Sequence, residues 1–197
     1  MAVNAYFRAT TDRVVVPIAK GMARVGLTPN VITTMGLLGV FVGMGLLLYG
    51  HPVLGGWIVA VATILDAFDG TVARLTDRQT QLGAFYDSVA DRVADATIFG
   101  ACAWVARDEP LVFTAVMIAF GTALVTSYIR AKAESLGWDA TVGIIERPER
   151  VAIILPAVGY GYLAWGAWIL AVGGLITIAQ RLRAVVRQAR ETQMLPG

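Results

Sequence analysis

Long uncharged runs alternate with short charged clusters along the chain. No Asp, Glu, Lys or Arg occurs from Val25 to Leu65, from Pro110 to Ile129, or from Val151 to Gln180. An α-helix needs roughly 20 mostly apolar residues to cross a hydrocarbon core of ~30 Å, so Val31 to Tyr49 and Leu111 to Ile129 each predict one crossing. Between them, Gly50-His51-Pro52 and the polar stretch from Thr76 to Gln81 delimit two further helices, about Val53 to Leu75 and Leu82 to Val105.

The last run, Val151 to Gln180, is too long for one ordinary span and short for two. A single helix there puts Arg147 and Arg150 across the membrane from Arg181, Arg183, Arg187 and Arg190. A hairpin turning within "GYGYLAWG", residues 159 to 166, keeps both clusters on one side. It also brings Tyr160, Tyr162, Trp165 and Trp168 to the interfacial level, where amphipathic rings settle. A hairpin is therefore expected, and its helices borrow their ends from the flanking charged residues.

The expected fold is an all-α integral membrane protein. Six transmembrane helices within residues 31–190 follow an N-terminal amphipathic juxtamembrane helix within 1–26, and 1–197 form one domain. With 57% hydrophobic and 15% charged residues, the composition agrees. Of the 16 Lys and Arg, 14 fall on the face that carries both termini, because Arg92 lies within a span and Arg107 on the far side. The positive-inside rule makes that face cytoplasmic, in a plasma membrane. The net charge of +2 conceals this asymmetry, and nothing points to a nucleic-acid partner. On a helical wheel, Phe7, Val14, Val15, Ile18, Met22 and Val25 share one arc opposite Arg8, Asp12, Arg13, Lys20 and Arg24. That pattern fits a helix lying on the cytoplasmic leaflet, or one packed on its own protein. Cys102 is the only cysteine, which excludes a disulfide framework and a thiolate metal cluster.

Against this apolar background, Asp66 and Asp69 are three residues apart on the second span, and Asp87 and Asp91 four apart on the third. Either spacing places the pair on one helical face, and the short connection lets the two pairs face each other. Ionised carboxylates in a membrane span are costly, and neighbours repel. Divalent cations remove both difficulties, and an all-oxygen ligand set without His or Cys suits hard ions such as Mg²⁺ or Mn²⁺. Four carboxylates suit two such ions, the usual clamp on a pyrophosphate in phosphoryl transfer. Gly70, Ala73 and Gly83 leave room for a ligand or a partner helix near the backbone, and Arg74 can reach a phosphate.

Asp66-x-x-Asp69-Gly70-x-x-Ala73-Arg74, eight residues, then Gly83-x-x-x-Asp87-x-x-x-Asp91 resembles the full signature of the CDP-alcohol phosphotransferase family. The resemblance implies six membrane helices in a homodimer and two metal ions on Asp66, Asp69, Asp87 and Asp91. It implies a cytidine nucleotide and pyrophosphate held by Gly70, Ala73, Arg74 and Gly83, with Asn30 and Thr34 nearby. Asp91 is then also the general base. Arg130, Arg150 and Arg181 end the fourth span, begin the fifth and end the sixth on the carboxylate face. Three cations there suit a phosphate on the acceptor, although the positive-inside rule alone also places cations at these ends. The surrounding stretches resemble the actinobacterial phosphatidylinositol-phosphate synthases of that family. That implies CDP-diacylglycerol as donor, 1L-myo-inositol 1-phosphate as acceptor, and Arg130, Arg150 and Arg181 as acceptor-phosphate ligands, with Arg147 and Lys132 weaker candidates. A phosphatidylglycerophosphate synthase shares the signature and is the nearest alternative. A cation channel or transporter leaves Gly70, Ala73, Arg74 and Gly83 without a purpose. A purely structural protein would pair its buried charges, and the four Asp residues outnumber the cations near them in sequence.

Overall fold

The computed structural model describes residues 15–193, and every regular element among them is a helix. In chain order these are α1 (residues 15–24), α2 (Pro29–Leu48), α3 (Pro52–Asp66), α4 (Asp69–Leu75), α5 (Gln81–Val105), α6 (Pro110–Ser135), α7 (Arg147–Gly159) and α8 (Leu163–Gln193). Thr28 caps α2 by accepting from Val31 N, and Pro29 occupies the first turn, where its missing N–H costs nothing. Thr80 caps α5 in the same way through Gly83 N. The hairpin expected in the last run forms: α7 ends at Gly159, α8 begins at Leu163, and Gly161 takes φ +80° in the turn.

Four helices are long and apolar enough to cross a membrane: Pro29–Leu48, Pro52–Leu75, Pro110–Ser135 and Leu163–Glu191. The chain is a multi-pass membrane protein on this count, against an expectation of six crossings. α5 falls short because it carries the charges of Asp87, Asp91, Arg92 and Asp95. α7 falls short because 13 residues reach only about 20 Å at ~1.5 Å each.

The single helix expected over Val53 to Leu75 is broken at Ala67 and Phe68. Phe68 N bonds Leu65 O three residues back, at 3.0 Å, and Phe68 is buried with Ala19, Ile32 and Val72. Burying this ring under α1 and α2 tightens the turn, and Asp69 then opens a new helix. The apolar side of α1 divides: Val15, Ala19 and Met22 pack on that cluster, while Ile18 is exposed. Phe7, Val14 and the rest of the expected helix before residue 15 lie outside the described residues.

Small residues set the distance between α2 and α3. A Cβ on Gly43 would lie 2.6 Å from Val59 Cγ2, and one on Gly36 would lie 3.1 Å from Asp66 Cβ. Helices without a hydrophobic drive between them in lipid associate through such close contacts. α2 also packs on α5, and α6 packs on α8, so the carboxylates of α3, α4 and α5 gather around one end of α2.

Candidate active site

Asp66 closes α3, Asp69 opens α4, and Asp87 stands on the second turn of α5. One carboxylate oxygen from each lies within 4.8 Å of the other two. Thr33 Oγ1 on α2 donates to Asp69 Oδ2 at 2.8 Å, and Gly70 N donates to Asp69 Oδ1. Three carboxylates this close repel one another unless a cation neutralises them, and the donor set is all oxygen. These residues therefore fit a hard divalent ion.

Asp91 stands apart from that triad. Its Oδ1 lies 2.7 Å from Arg147 Nη1, and the same nitrogen is 3.2 Å from Asp66 Oδ2. Arg92 Nη2 approaches Asp91 Oδ2 at 3.5 Å, and Arg92 Nη1 bonds Ser127 Oγ. Asp95 is buried and paired with Arg150 Nη2 at 2.9 Å. Among the described residues Asp69 and Asp87 have no salt bridge, so the carboxylates still outnumber their cations. The counter-charges come from Arg92 on α5 itself and from Arg147 and Arg150 on α7, distant in sequence and adjacent in space.

Two polar cavities meet at Asp87, which lines both. The first, about 310 Å³, is walled by Asn30, Thr33, Asp69, Gly70, Ala73, Arg74, Arg78, Thr80 and Gly83. With Asp87, seven of the expected nucleotide-side and metal residues are thus brought to one place, with Thr33, Arg78 and Thr80 in addition. Thr34 is not among them. Its hydroxyl bonds Asn30 O at 2.7 Å and Tyr86 Oη at 2.9 Å on an exposed face of α2.

The second cavity, about 650 Å³, is lined by Asp91, Arg92, Ser127, Tyr128, Arg130, Glu134, Glu146, Arg147, Arg150 and Arg181. Arg130, Arg150 and Arg181 converge there, but each already has a carboxylate partner. Arg130 is exposed and pairs with Glu134 at 2.9 Å, while Arg150 holds Asp95. Arg181 is buried and fully engaged: Nε to Val142 O at 2.9 Å, Nη1 to Thr126 O at 2.7 Å, and Nη2 to Glu146 Oε1 at 2.8 Å. It joins α6, the loop before α7, and the α7 N-terminus to α8. A third, apolar cavity of about 450 Å³ runs between α3 and α7 along Trp57, Ala60, Ile64, Val151, Leu155 and Pro156, with Ala67 and Arg147 also on its wall.

A sequence profile described as CDP-alcohol phosphatidyltransferase matches residues 26–185. The chain belongs to this family. A phosphatidylinositol phosphate synthase of Mycobacterium tuberculosis is 39% identical over 192 residues, covering 90% of this chain and 88% of its own. One of Streptomyces avermitilis is 35% identical over 206 residues, covering 95% of this chain and 84% of its own. The Mycobacterium tuberculosis enzyme crystallised with CDP-DAG bound superposes with a TM-score of 0.79 at 38% identity, over 88% of this chain and 94% of that one. Its complex with manganese and citrate gives a TM-score of 0.80 at 36% identity, over 88% and 89% of the two chains. In this family member the signature residues Asp69, Gly70, Ala73, Arg74, Gly83, Asp87 and Asp91 line the two polar cavities, which share Asp87.

Proposed function

We propose that the chain transfers the phosphatidyl group of CDP-diacylglycerol to the hydroxyl of 1L-myo-inositol 1-phosphate, giving phosphatidylinositol phosphate and CMP. The observation that carries this reading is the position of Asp87 on the common wall of a signature-lined cavity and an arginine-lined one. Similarity to named phosphatidylinositol phosphate synthases supports the choice of acceptor.

Asn30, Gly70, Ala73, Arg74 and Gly83 hold the cytidine nucleotide and its pyrophosphate, the small residues admitting it close to the backbone. The apolar groove between α3 and α7 takes an acyl chain of the donor. Arg130, Arg150 and Arg181 face the acceptor phosphate. The acceptor oxygen forms a bond to the phosphorus that carries diacylglycerol while the bond from that phosphorus to the CMP oxygen breaks. Asp91 accepts the hydroxyl proton at a carboxylate oxygen. Mg²⁺ or Mn²⁺, two ions per site on Asp66, Asp69, Asp87 and Asp91, supplies charge neutralisation for the pyrophosphate when bound. A manganese complex of a similar enzyme supports the choice of metal.

Counting α5 and α7 with the four long helices gives six crossings, α3 and α4 forming one. The whole of 1–197 is then a single membrane domain, with residues 1–26 along the cytoplasmic leaflet and the site facing the cytoplasm. A homodimer is expected from the family resemblance. The test is mass spectrometry of the purified protein with CDP-diacylglycerol, inositol 1-phosphate and Mg²⁺. CMP and phosphatidylinositol phosphate should form in equal amounts, and intact substrates after prolonged incubation would refute the reading.

A further inference from the structure

We infer that Arg147 is a built-in counter-cation of the carboxylate cluster, which a divalent ion must displace before Asp91 can join the ligand set. The inference rests on the reading of the Asp residues as a divalent-cation site. Arg147 Nη1 stands between Asp91 Oδ1 at 2.7 Å and Asp66 Oδ2 at 3.2 Å, with Nε 3.9 Å from Asp95 Oδ1. It thus bridges the first and last carboxylates of the signature, whereas Asp69 and Asp87, which gather with Asp66, have no ion pair to it. One guanidinium and one divalent ion cannot both occupy the space between Asp66 and Asp91.

The position of Arg147 makes it displaceable. It is the first residue of α7, preceded by the loop from α6, and its side chain is 23% exposed. A cation at a helix N-terminus is opposed by the helix dipole. Its placement there is favoured by the Asp carboxylates, and that attraction falls once a divalent ion neutralises them. The neighbouring space can receive it, because Arg147 already lines the 650 Å³ cavity with Glu134, Glu146 and Arg150. Moving there, Arg147 adds positive charge where the acceptor phosphate is expected and leaves Asp91 open to the acceptor hydroxyl. Arg150 does not duplicate this role, since its partner is the buried Asp95. Arg147 is a positioning residue in this scheme, one that couples filling of the metal site to the charge of the acceptor cavity.

The test measures Mn²⁺ binding without turnover, by the loss of the free-ion paramagnetic resonance signal on titration into the full chain in detergent micelles. Arg147→Gln should bind Mn²⁺ roughly tenfold to a hundredfold more tightly than wild type, because it removes a charge-assisted competitor. Arg147→Lys keeps the charge but loses the guanidinium, whose Nη1 reaches Asp91 and Asp66 while its Nε approaches Asp95, and should fall between them. It carries the test if Arg147→Gln does not survive purification. Arg130→Gln removes a charge from the same cavity without touching the signature carboxylates, and should leave Mn²⁺ affinity within about twofold of wild type, as its partner Glu134 screens it. Equal or weaker binding by the Arg147 variants overturns the inference and leaves the metal site standing. Tightening of Arg130→Gln as large as that of Arg147→Gln overturns it too, by reducing the effect to net charge. No Mn²⁺ binding by wild type or any variant overturns the metal site and the inference together.

Discussion

Arg181→Ala separates two roles that one arginine could serve. If Arg181 were an acceptor ligand and nothing more, its loss would raise the acceptor KM and leave stability alone. The structure instead gives it two bonds to backbone carbonyls, Val142 O and Thr126 O, and one to Glu146. Buried charge-assisted hydrogen bonds contribute about 1.5–3 kcal/mol each. The half-exposed Glu146 pair adds little, as for surface pairs. The lower end of the range for the two carbonyl bonds gives about 3 kcal/mol. For a chain of this length each kcal/mol lowers the melting midpoint by about 2–4 °C, so a fall of roughly 6–12 °C is expected. Tryptophan fluorescence on heating in detergent reads it directly, since the chain has 5 Trp, including Trp165 and Trp168 on α8. A midpoint within about 2 °C of wild type, together with a raised acceptor KM, would refute the clamp.

Asp91→Asn should abolish turnover while nucleotide binding, followed by CMP titration, stays near wild type; retained turnover removes Asp91 as the base. Excess EDTA should stop the reaction and Mg²⁺ or Mn²⁺ should restore it, as measured by CMP release. Arg150→Ala should raise the acceptor KM roughly tenfold to a hundredfold and lower the melting midpoint by removing the nearest cation from the buried Asp95, leaving only Arg92 and Arg147 at 3.8 and 3.9 Å; adding Asp95→Asn should recover the midpoint but not the KM. Gly43→Ala places a methyl 2.6 Å from Val59 Cγ2 and 2.7 Å from Gly55 O, so α2 and α3 must separate, at a cost of about 1–3 kcal/mol read as a lower melting midpoint.

Much of the architecture is legible because hydrophobic runs and turn residues act locally. The hairpin at Gly159 to Leu163 follows from run length, charge side and a glycine turn, and the cap at Thr28-Pro29 from two adjacent residues. Asp66, Asp69 and Asp87 do come together, but Asp66 and Asp69 stand on either side of the break rather than on one helical face as their spacing predicts. The break at Ala67 is not legible, because no Pro or Gly stands in the turn before it and its cause is burial of Phe68 under α1 and α2. The pairing of Asp66 with Arg147 joins residues separated by 81 positions, which no local pattern encodes. Thr33 rather than Thr34 faces Asp69, a choice set by the rotation of α2 that Gly36 and Gly43 permit.

Competition between acceptors decides the assignment: CDP-diacylglycerol and Mg²⁺ with equal concentrations of inositol 1-phosphate, glycerol 3-phosphate and free inositol, the lipid products resolved by mass spectrometry. The expected product is phosphatidylinositol phosphate, with free inositol unused because the arginine-lined cavity lacks its anion. Predominant phosphatidylglycerophosphate would contradict the assignment of the ring, and efficient use of free inositol would contradict the phosphate site itself.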